Sequence, residues 1–333
     1  MIRKLAVAIL IILLLLLAGC TSNDSDNGED NGYDNKNYKQ YMREFVINIS
    51  KFADTINRPF IIIPQNGHEL ITENGLENGT PATEYLNAID GIGREDLFYG
   101  YDDDDKKTPI DASEYMIAFL DIVEDNDVEV LVTDYCSTKS NMDDSYDKNS
   151  NKNYISFAAD HRELDNIPNY PNEPNNVNSD NITTLKNAKN FLYILNPDKF
   201  ETKESFLKAL GETNYDVFII DLFYDDQALS FSEIESLKIK ANGGRRLVIS
   251  YMSIGEAEDY RFYWDSDWKT NKPAWLEKEN PNWKGNYKVR YWESDWQSII
   301  YGTDGSYLKK IIDSGFDGAY LDIIDAFEYF EDK

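Results

Sequence analysis

Acidic side chains recur at the ends of short apolar runs in this sequence. Asp221 ends the run VFIID, Asp322 ends GAYLD, and Glu256 lies three residues beyond LVISYMS. Two carboxyl groups placed on either side of a glycosidic bond can supply the acid and the nucleophile of its hydrolysis. These carboxylates are therefore the first candidates for chemistry.

Further polar side chains occupy similar positions near the ends of other runs: Gln65, Asn66, Glu95, Asp134, Tyr135 and Asp325. A single acidic residue at a strand end is often only a cap for the next helix. Five or more on one rim are not explained by capping alone. Aromatic residues that could stack on sugar rings lie at or near the same ends, namely Tyr251, Tyr260, Trp264, Tyr291, Trp292 and Tyr320.

The runs that carry these residues read as buried strands. Most are nearly continuous in apolar residues, as expected for parallel strands covered on both faces. The predicted strands are Phe60–Gln65, Val130–Cys136, Tyr154–Ala159, Phe191–Leu195, Val217–Asp221, Leu247–Ser253, Val289–Trp292 and Gly318–Asp322, with Ile89–Leu97 as a possible ninth.

Helical patterns lie between the strands. They cover Tyr38–Ile56, Ala112–Glu124, Lys203–Glu212, Phe231–Lys240 and Trp296–Ser314. Ser230 and Glu233 have the spacing of a capping box at the start of one of them. Alternation of strand and helix predicts βαβ units and an α/β fold, either a (β/α)8 TIM barrel or an open doubly wound sheet. The sequence Gly91-Ile92-Gly93 lacks the third glycine of a dinucleotide-binding loop, and no P-loop is present.

The order of elements predicts a circular permutation. The folded region opens with a helix at Tyr38 and closes just after the strand Gly318–Asp322, whereas a barrel conventionally opens with a strand and closes with a helix. The simplest reconciliation is a single-domain barrel, residues 38–333, whose two ends are neighbours. In such a barrel the strand-end carboxylates would share one mouth.

The first twenty residues have the pattern of an export signal. Arg3 and Lys4 precede an uninterrupted apolar run of 14 residues, and Leu17-Ala18-Gly19-Cys20 follows. The run is short for a membrane span but suits a signal peptide. The pattern resembles a prokaryotic lipoprotein signal, so we expect residues 1–19 to be removed and Cys20 to be lipidated. An uncleaved anchor helix is the alternative.

The segment 20–37 contains no aliphatic residue after Cys20 and reads as a solvated linker. We therefore expect a lipid-anchored, extracytoplasmic protein of the cell envelope.

Charge and composition exclude several classes. The chain of 333 residues carries 61 acidic and 33 basic side chains, a formal net charge of −28, which disfavours nucleic acid as a partner. Two cysteines and two histidines cannot build a zinc cluster or a disulfide framework, and neither histidine lies in a nucleophile motif. We expect no cofactor and no metal. A calcium site near Asp102–Asp105 or Asp143 and Asp144 is an alternative, although neither run has the spacing of a dedicated calcium loop.

Several longer segments resemble glycoside hydrolase family 114 and its prokaryotic relatives, the endo-α-1,4-polygalactosaminidase-like (β/α)8 proteins. They are FIIIPQNGHEL (60–70), AIDGIGREDLFYG (88–100), NFLYILN (190–196), YDVFIIDLFYDD (215–226), RRLVISYMSIGEAEDYRFYW (245–264), NPNWKGNYKVRYWESDWQ (280–297) and GFDGAYLDIIDAFEY (315–329). In that family the NFLY-like strand comes first, so the order here agrees with a permutation.

The resemblance implies that Asp322 is the nucleophile and Glu95 the acid/base, with a raised pKa required of Glu95. It further implies that a substrate groove is lined by Asp221, Glu256, Asp134, Tyr251, Gln65 and Asn66. We expect a monomeric hydrolase acting on an amino-sugar polymer, or another surface polysaccharide, because a cationic polymer suits an acidic rim. The alternative is a lipoprotein that binds carbohydrate without cleaving it.

Overall fold

A computed structural model describes residues 37–56 and 59–332. The predicted signal peptide, Cys20 and all of the predicted linker except Asn37 lie outside these described residues. Within them, no helix is both long enough and apolar enough to cross a membrane.

Eight parallel strands, counted over the described residues, are arranged in two sheets. They are β1 (Ile61–Pro64), β2 (Gly91–Glu95), β3 (Glu129–Tyr135), β4 (Ile155–Ala159), β5 (Phe191–Ile194), β6 (Val217–Asp221), β7 (Leu247–Ser253) and β8 (Gly318–Asp322). One sheet has the order β1-β8-β7-β6-β5 and the other the order β2-β3-β4. Isolated parallel bridges join the edge strands of the two sheets, Gln65 with Gly93 and Ser156 with Asn190. The predicted α/β class with parallel strands is confirmed.

One predicted strand, Val289–Trp292, was wrong, because only Val289 of that range lies in a strand and residues 290–292 follow its end. Asn286–Val289 is the central strand of a three-stranded antiparallel sheet with Glu256–Glu258 and Leu276–Glu279, inserted after β7. The possible ninth strand, in contrast, is β2. A run of four residues such as Val289–Trp292 is too short to predict a parallel strand by itself. A second small feature, the hairpin of Phe223–Tyr224 and Gln227–Ala228, follows β6.

Along the chain, helices or 3-10 turns separate the successive parallel strands. Within the described residues they are α1 (Tyr38–Asp54), α2 (Thr83–Leu86), α3 (Ile110–Glu124), α4 (Lys139–Asn151), α5 (Lys203–Gly211), α6 (Phe231–Leu237), α7 (Ser294–Ile300), α8 (Tyr307–Asp313) and α9 (Ala326–Glu331), with 3-10 turns at His68–Ile71, Leu185–Asn187, Pro197–Lys199 and Ser266–Lys269. The capping box at the start of α6 is confirmed, because Ser230 N donates to Glu233 Oε2 at 2.7 Å and Glu233 N donates to Ser230 Oγ.

The predicted helix over Trp296–Ser314 is in fact the pair α7 and α8. Helix α4 was not predicted, because two of the four residues on its buried face are polar. That face consists of Met142, Ser145, Tyr146 and Asn149, at helical spacing.

The interior near β2 and β8 is filled by Tyr320. A Cβ atom added at Gly93 would lie 2.0 Å from Tyr320 Oη, so only glycine leaves room for this ring. Tyr320 thus spans from β8 towards β2 although the two strands belong to different sheets. The contact packs the two sheets against each other beneath the strand ends.

The two ends of the described chain are neighbours. Strand β1 pairs with β8 in parallel, with Ile63 beside Tyr320. Lys39 in α1 forms an ion pair with Glu331 in α9, and the rings of Tyr38 and Phe330 lie 5.5 Å apart. The carboxyl ends of β1, β2 and β8 are thereby brought to one side of the molecule.

Candidate active site

The chain turns sharply directly after three strand-end residues. Asn66, Asp96 and Ile323 have φ values of 63°, 60° and 60°, and they follow Gln65, Glu95 and Asp322. A left-handed φ is tolerated by Asn and Asp but is unusual for a β-branched residue such as Ile323. Backbone strain of this kind is typical of functional sites.

Glu95 is buried at the end of β2 and held by two side-chain donors. The phenol of Tyr135, on β3, donates to Oε1, and Asn66 Nδ2 donates to Oε2 at 3.1 Å. The backbone N–H of Glu95 donates in turn to Asn66 Oδ1 at 3.3 Å. These hydrogen bonds fix the orientation of the Glu95 carboxyl group.

Asp322 is buried at the end of β8, with Oδ2 accepting a 2.7 Å hydrogen bond from the phenol of Tyr251. Burial raises the pKa of Asp322 well above its ordinary value, and the charge of Glu95 raises it further, while the bond from Tyr251 opposes the shift. The two carboxyl groups therefore interact electrostatically.

Gln65 and Asn66 lie with this pair. Gln65 N donates to Leu321 O at 2.8 Å, which places Gln65 beside the end of β8. Its Oε1 accepts from the phenol of Tyr193 at 3.1 Å. Its Nε2 is buried and has no hydrogen-bond partner among the described residues. A buried donor of this kind is suited to an oxygen of a bound ligand.

Asp221 is engaged in an internal ion pair. Its Oδ1 accepts from Arg261 Nη1 at 2.9 Å, its Oδ2 lies 2.8 Å from Arg261 Nη2, and Glu258 Oε2 accepts from Arg261 Nε at 2.6 Å. The backbone N–H of Phe223 also donates to Oδ1. The structure therefore gives Asp221 the role of joining the end of β6 to the insertion after β7. Its neighbour in the sheet is Tyr251.

Glu256 has a comparable role in the insertion. It is fully buried and accepts from Asn280 Nδ2 at 2.8 Å and Asn286 Nδ2 at 3.2 Å, and it pairs with Lys288 at 2.6 Å. Its charge acts on Asp325, whose pKa burial raises to about 6, with Lys288 opposing the shift. The oxygens of Glu256 are thus bonded within the protein, and its negative charge contributes to the raised pKa of Asp325.

Asp134 does not join the site, contrary to the expectation from sequence. It is fully buried and accepts from Phe98 N at 2.8 Å, Tyr99 N at 3.1 Å, Ser145 Oγ at 2.7 Å and Asn149 Nδ2 at 3.2 Å. Side chains alternate along a strand, so Asp134 points to helix α4 while its neighbour Tyr135 reaches Glu95.

Several residues of the site were not assigned a role from sequence. Tyr135 and Tyr193 supply donors, and alternation along β3 could have identified the first of them. Arg94 Nη1 lies 3.2 Å from His68 Nδ1. Burial, assisted by Arg94, lowers the pKa of His68 to about 3, so that His68 is neutral and accepts this bond. Among the described residues no group of three or more His, Cys, Asp and Glu side chains is arranged to hold a metal ion.

Comparison with known proteins supports a hydrolase family for the second half of the chain. Residues 171–333 match the model of glycoside-hydrolase family GH114. That range contains Asp221, Tyr251, Glu256 and Asp322, whereas Glu95 lies outside it.

Three relatives are uncharacterized proteins. The chain is 41% identical over 149 residues to one from Methanocaldococcus jannaschii, a range that is 44% of this chain and 40% of that protein. It is 42% identical over 142 residues to one from Thermotoga maritima, covering 42% and 40% of the two chains. It is 36% identical over 127 residues to one from Deinococcus radiodurans, covering 38% and 39%. The matches span about two fifths of these relatives.

Proposed function

We propose that the protein is a glycoside hydrolase in which Asp322 and Glu95 are the two catalytic carboxyl groups. One observation carries the proposal: two buried carboxyl groups at the ends of β2 and β8 interact electrostatically. Each is oriented by a phenol donor, and Gln65 presents a free donor beside them. The GH114 match over residues 171–333 supports the same reaction class.

The two sheets form one closed (β/α)8 barrel in this proposal. The bridges between Gln65 and Gly93 and between Ser156 and Asn190 support closure, and so does the packing of Tyr320 against Gly93. The strand order around such a ring would be β1 to β8 in sequence. All eight carboxyl ends would then open at a single mouth, as in other barrel enzymes.

A circular permutation accounts for the position of Glu95. The family match begins at residue 171, and α1 packs beside α9 at the other end of the described chain. In this reading, residues 38–170 contain elements that follow β8 in an unpermuted relative. The permutation then changes the order of the elements along the chain but leaves the mouth and both carboxyl groups in place.

The roles of the two carboxyl groups follow from their contacts. A catalytic acid must hold its proton at the working pH, and a nucleophile must be oriented for attack. Burial raises the pKa of Asp322, while Glu95 accepts from both Tyr135 and Asn66. We therefore assign the proton to Asp322 as acid and the nucleophile to Glu95, the reverse of the roles that the resemblance implies.

Chemical rescue distinguishes the two assignments if the reaction retains configuration. With azide and an activated glycoside, Glu95→Ala is expected to yield a glycosyl azide of inverted configuration, because azide replaces the missing nucleophile. Asp322→Ala is expected to yield the retained configuration. The opposite pattern of products would restore the roles implied by the resemblance.

The proposed substrate is an amino-sugar polymer such as polygalactosamine, or another surface polysaccharide. A formal net charge of −28 favours a cationic polymer through long-range attraction. The test is release of reducing ends from matched cationic, neutral and anionic polysaccharides. Cleavage of the cationic polymers, with rates that fall as salt rises, supports this substrate class. Binding without turnover across the panel would instead support the carbohydrate-binding alternative.

Localisation in the cell envelope through Cys20 is part of the same proposal. Its support is the Leu17-Ala18-Gly19-Cys20 sequence after an apolar run. Metabolic labelling with a radioactive fatty acid is expected to mark the wild type and not Cys20→Ser. Equal labelling of both would contradict lipidation at this residue.

A further inference from the structure

Arg162 lies above the ring of Tyr135 and connects the loop after β4 to the loop after β2. Its guanidinium carbon is 4.2 Å from the ring centroid of Tyr135. Tyr135 is fully buried, and its phenol donates to Glu95 Oε1. A cation over an aromatic face is attracted by the ring and draws electron density from it, which makes the phenol a stronger donor.

Arg162 also fixes the residue that follows Glu95. Its Nη2 donates to Asp96 Oδ1 at 2.8 Å and its Nη1 to Asp96 Oδ2 at 3.2 Å, a forked arrangement that sets both distance and angle. Asp96 has a left-handed φ of 60°, so the direction of the backbone at Glu95 depends on this turn. The Glu95 carboxyl group is thereby held by the Tyr135 phenol and by the backbone turn at Asp96.

Two more contacts keep the arginine in one position. Its Nη2 donates to Gly100 O, and its Nε donates to Asp104 Oδ1. The side chain is only 15% exposed. Arg162 therefore occupies a fixed place between two loops, unlike a surface arginine that samples many rotamers.

We propose that Arg162 is a positioning residue that acts on Glu95 through Tyr135 and Asp96. This inference rests on the proposed function, since it assumes that Glu95 takes part in the reaction. Among the described residues, the hydrogen bonds of Arg162 go to Asp96, Gly100 and Asp104 and not to Glu95. Arg162 therefore supports the site and is not one of its catalytic groups.

A double-mutant cycle tests the pathway of this effect. Arg162→Gln is expected to lower kcat by about 10²-fold with little change in KM, because a small displacement of a catalytic group has an effect of that size. Arg162→Lys is expected to recover part of the loss, since it keeps the charge but not the fork. In a Tyr135→Phe background, Arg162→Gln should cause a smaller further loss, because the contribution through the Tyr135 phenol is already absent and only that through Asp96 remains.

Arg245→Gln is the matched control. Arg245 is 42% exposed and lies 3.9 Å from Glu235, before β7 and therefore at the opposite end of the strands. Its substitution is expected to leave kcat unchanged. Unchanged kcat in Arg162→Gln, or losses that multiply in the double variant, would overturn the proposal.

A spectroscopic measurement that does not depend on catalytic activity separates this inference from the proposed function. Tyrosine labelled with 13C at Cζ reports the phenol hydrogen bond, and the Tyr135 signal is identified by its absence in Tyr135→Phe. Arg162→Gln should move that signal, and Arg245→Gln should not. If wild type shows no hydrolysis but the signal moves, the positioning contact stands and the proposed function fails. An unmoved signal would overturn the positioning role whatever the activity.

Discussion

The phenol of Tyr251 donates a 2.7 Å hydrogen bond to Oδ2 of Asp322, and both side chains are buried. The two residues lie on adjacent parallel strands, β7 and β8, with Tyr251 beside Tyr320 in the register. The bond lowers the pKa of Asp322 against the larger effect of burial, which raises it. Tyr251 thus lowers the pKa of Asp322 from the value that burial alone would give.

Tyr251→Phe is therefore expected to shift the pH dependence of activity. Removing a donor to the carboxylate favours the protonated form, so the pKa of Asp322 should rise. Because Asp322 acts as the acid, the alkaline limb of the kcat/KM profile, which reports loss of its proton, should move to higher pH. The control is Tyr291→Phe, whose phenol donates to Tyr38 O instead. A profile that stays in place in Tyr251→Phe would contradict the assignment.

Arg261 should be indispensable for stability. It is buried between Asp221 and Glu258, whose side chains are 4% and 0% exposed. Arg261→Met would leave two buried carboxylates without a counter-charge, which we expect to lower the free energy of unfolding by about 3–5 kcal/mol. Urea unfolding measures this change. The matched Arg290→Met removes a half-exposed pair with Glu277 and should cost less than about 1 kcal/mol. Equal effects of the two substitutions would contradict the argument.

Glu328 should make stability depend on pH. Burial raises its pKa from 4.5 to about 8, with Asp325 and Glu69 adding to the shift and Lys39 opposing it. The folded state then binds a proton that the unfolded state has already lost, so the free energy of unfolding falls as pH rises from about 4.5 to about 8.

Glu328→Gln removes this dependence. Relative to wild type, the variant should gain stability progressively across the same pH window, reaching about 1 kcal/mol after allowance for partial exposure. Urea unfolding at pH 5, 7 and 9 provides the measurement. Glu114→Gln, at an exposed position of α3, should show a constant difference from wild type. A constant difference for Glu328→Gln as well would refute the prediction.

Much of the fold was predictable because parallel strands bury both faces. Runs such as Val217–Asp221 and Gly318–Asp322 are apolar throughout, and both are strands with the predicted bounds. The antiparallel sheet around Asn286–Val289 was not, since its strands are only three or four residues long and rich in charged and polar residues. Helix α4 escaped prediction because Ser145 and Asn149 face inward to bind Asp134.

The candidate site was predictable in its positions but not in its contacts. Glu95, Asp322, Gln65 and Asn66 were predicted to lie together because parallel strands present their carboxyl ends on one side, and the structure brings them together. The sequence could not show that Asp134 faces α4. Neighbouring residues of a strand face opposite sides, so a shift of one residue reverses which side chain enters the site. Nor could the sequence show that Arg162, 67 positions after Glu95, reaches back across the loops, because that contact arises only in the folded structure.

The central claim is that Glu95 and Asp322 together cleave a glycosidic bond. Release of reducing ends from a polymer that the wild type cleaves should be compared for wild type, Glu95→Gln and Asp322→Asn, with Asp313→Asn as an exposed carboxylate control. We predict that both site variants lose at least about 10³-fold in kcat while remaining folded, and that the control keeps wild-type activity. Turnover by Glu95→Gln or Asp322→Asn at the wild-type rate would contradict the account.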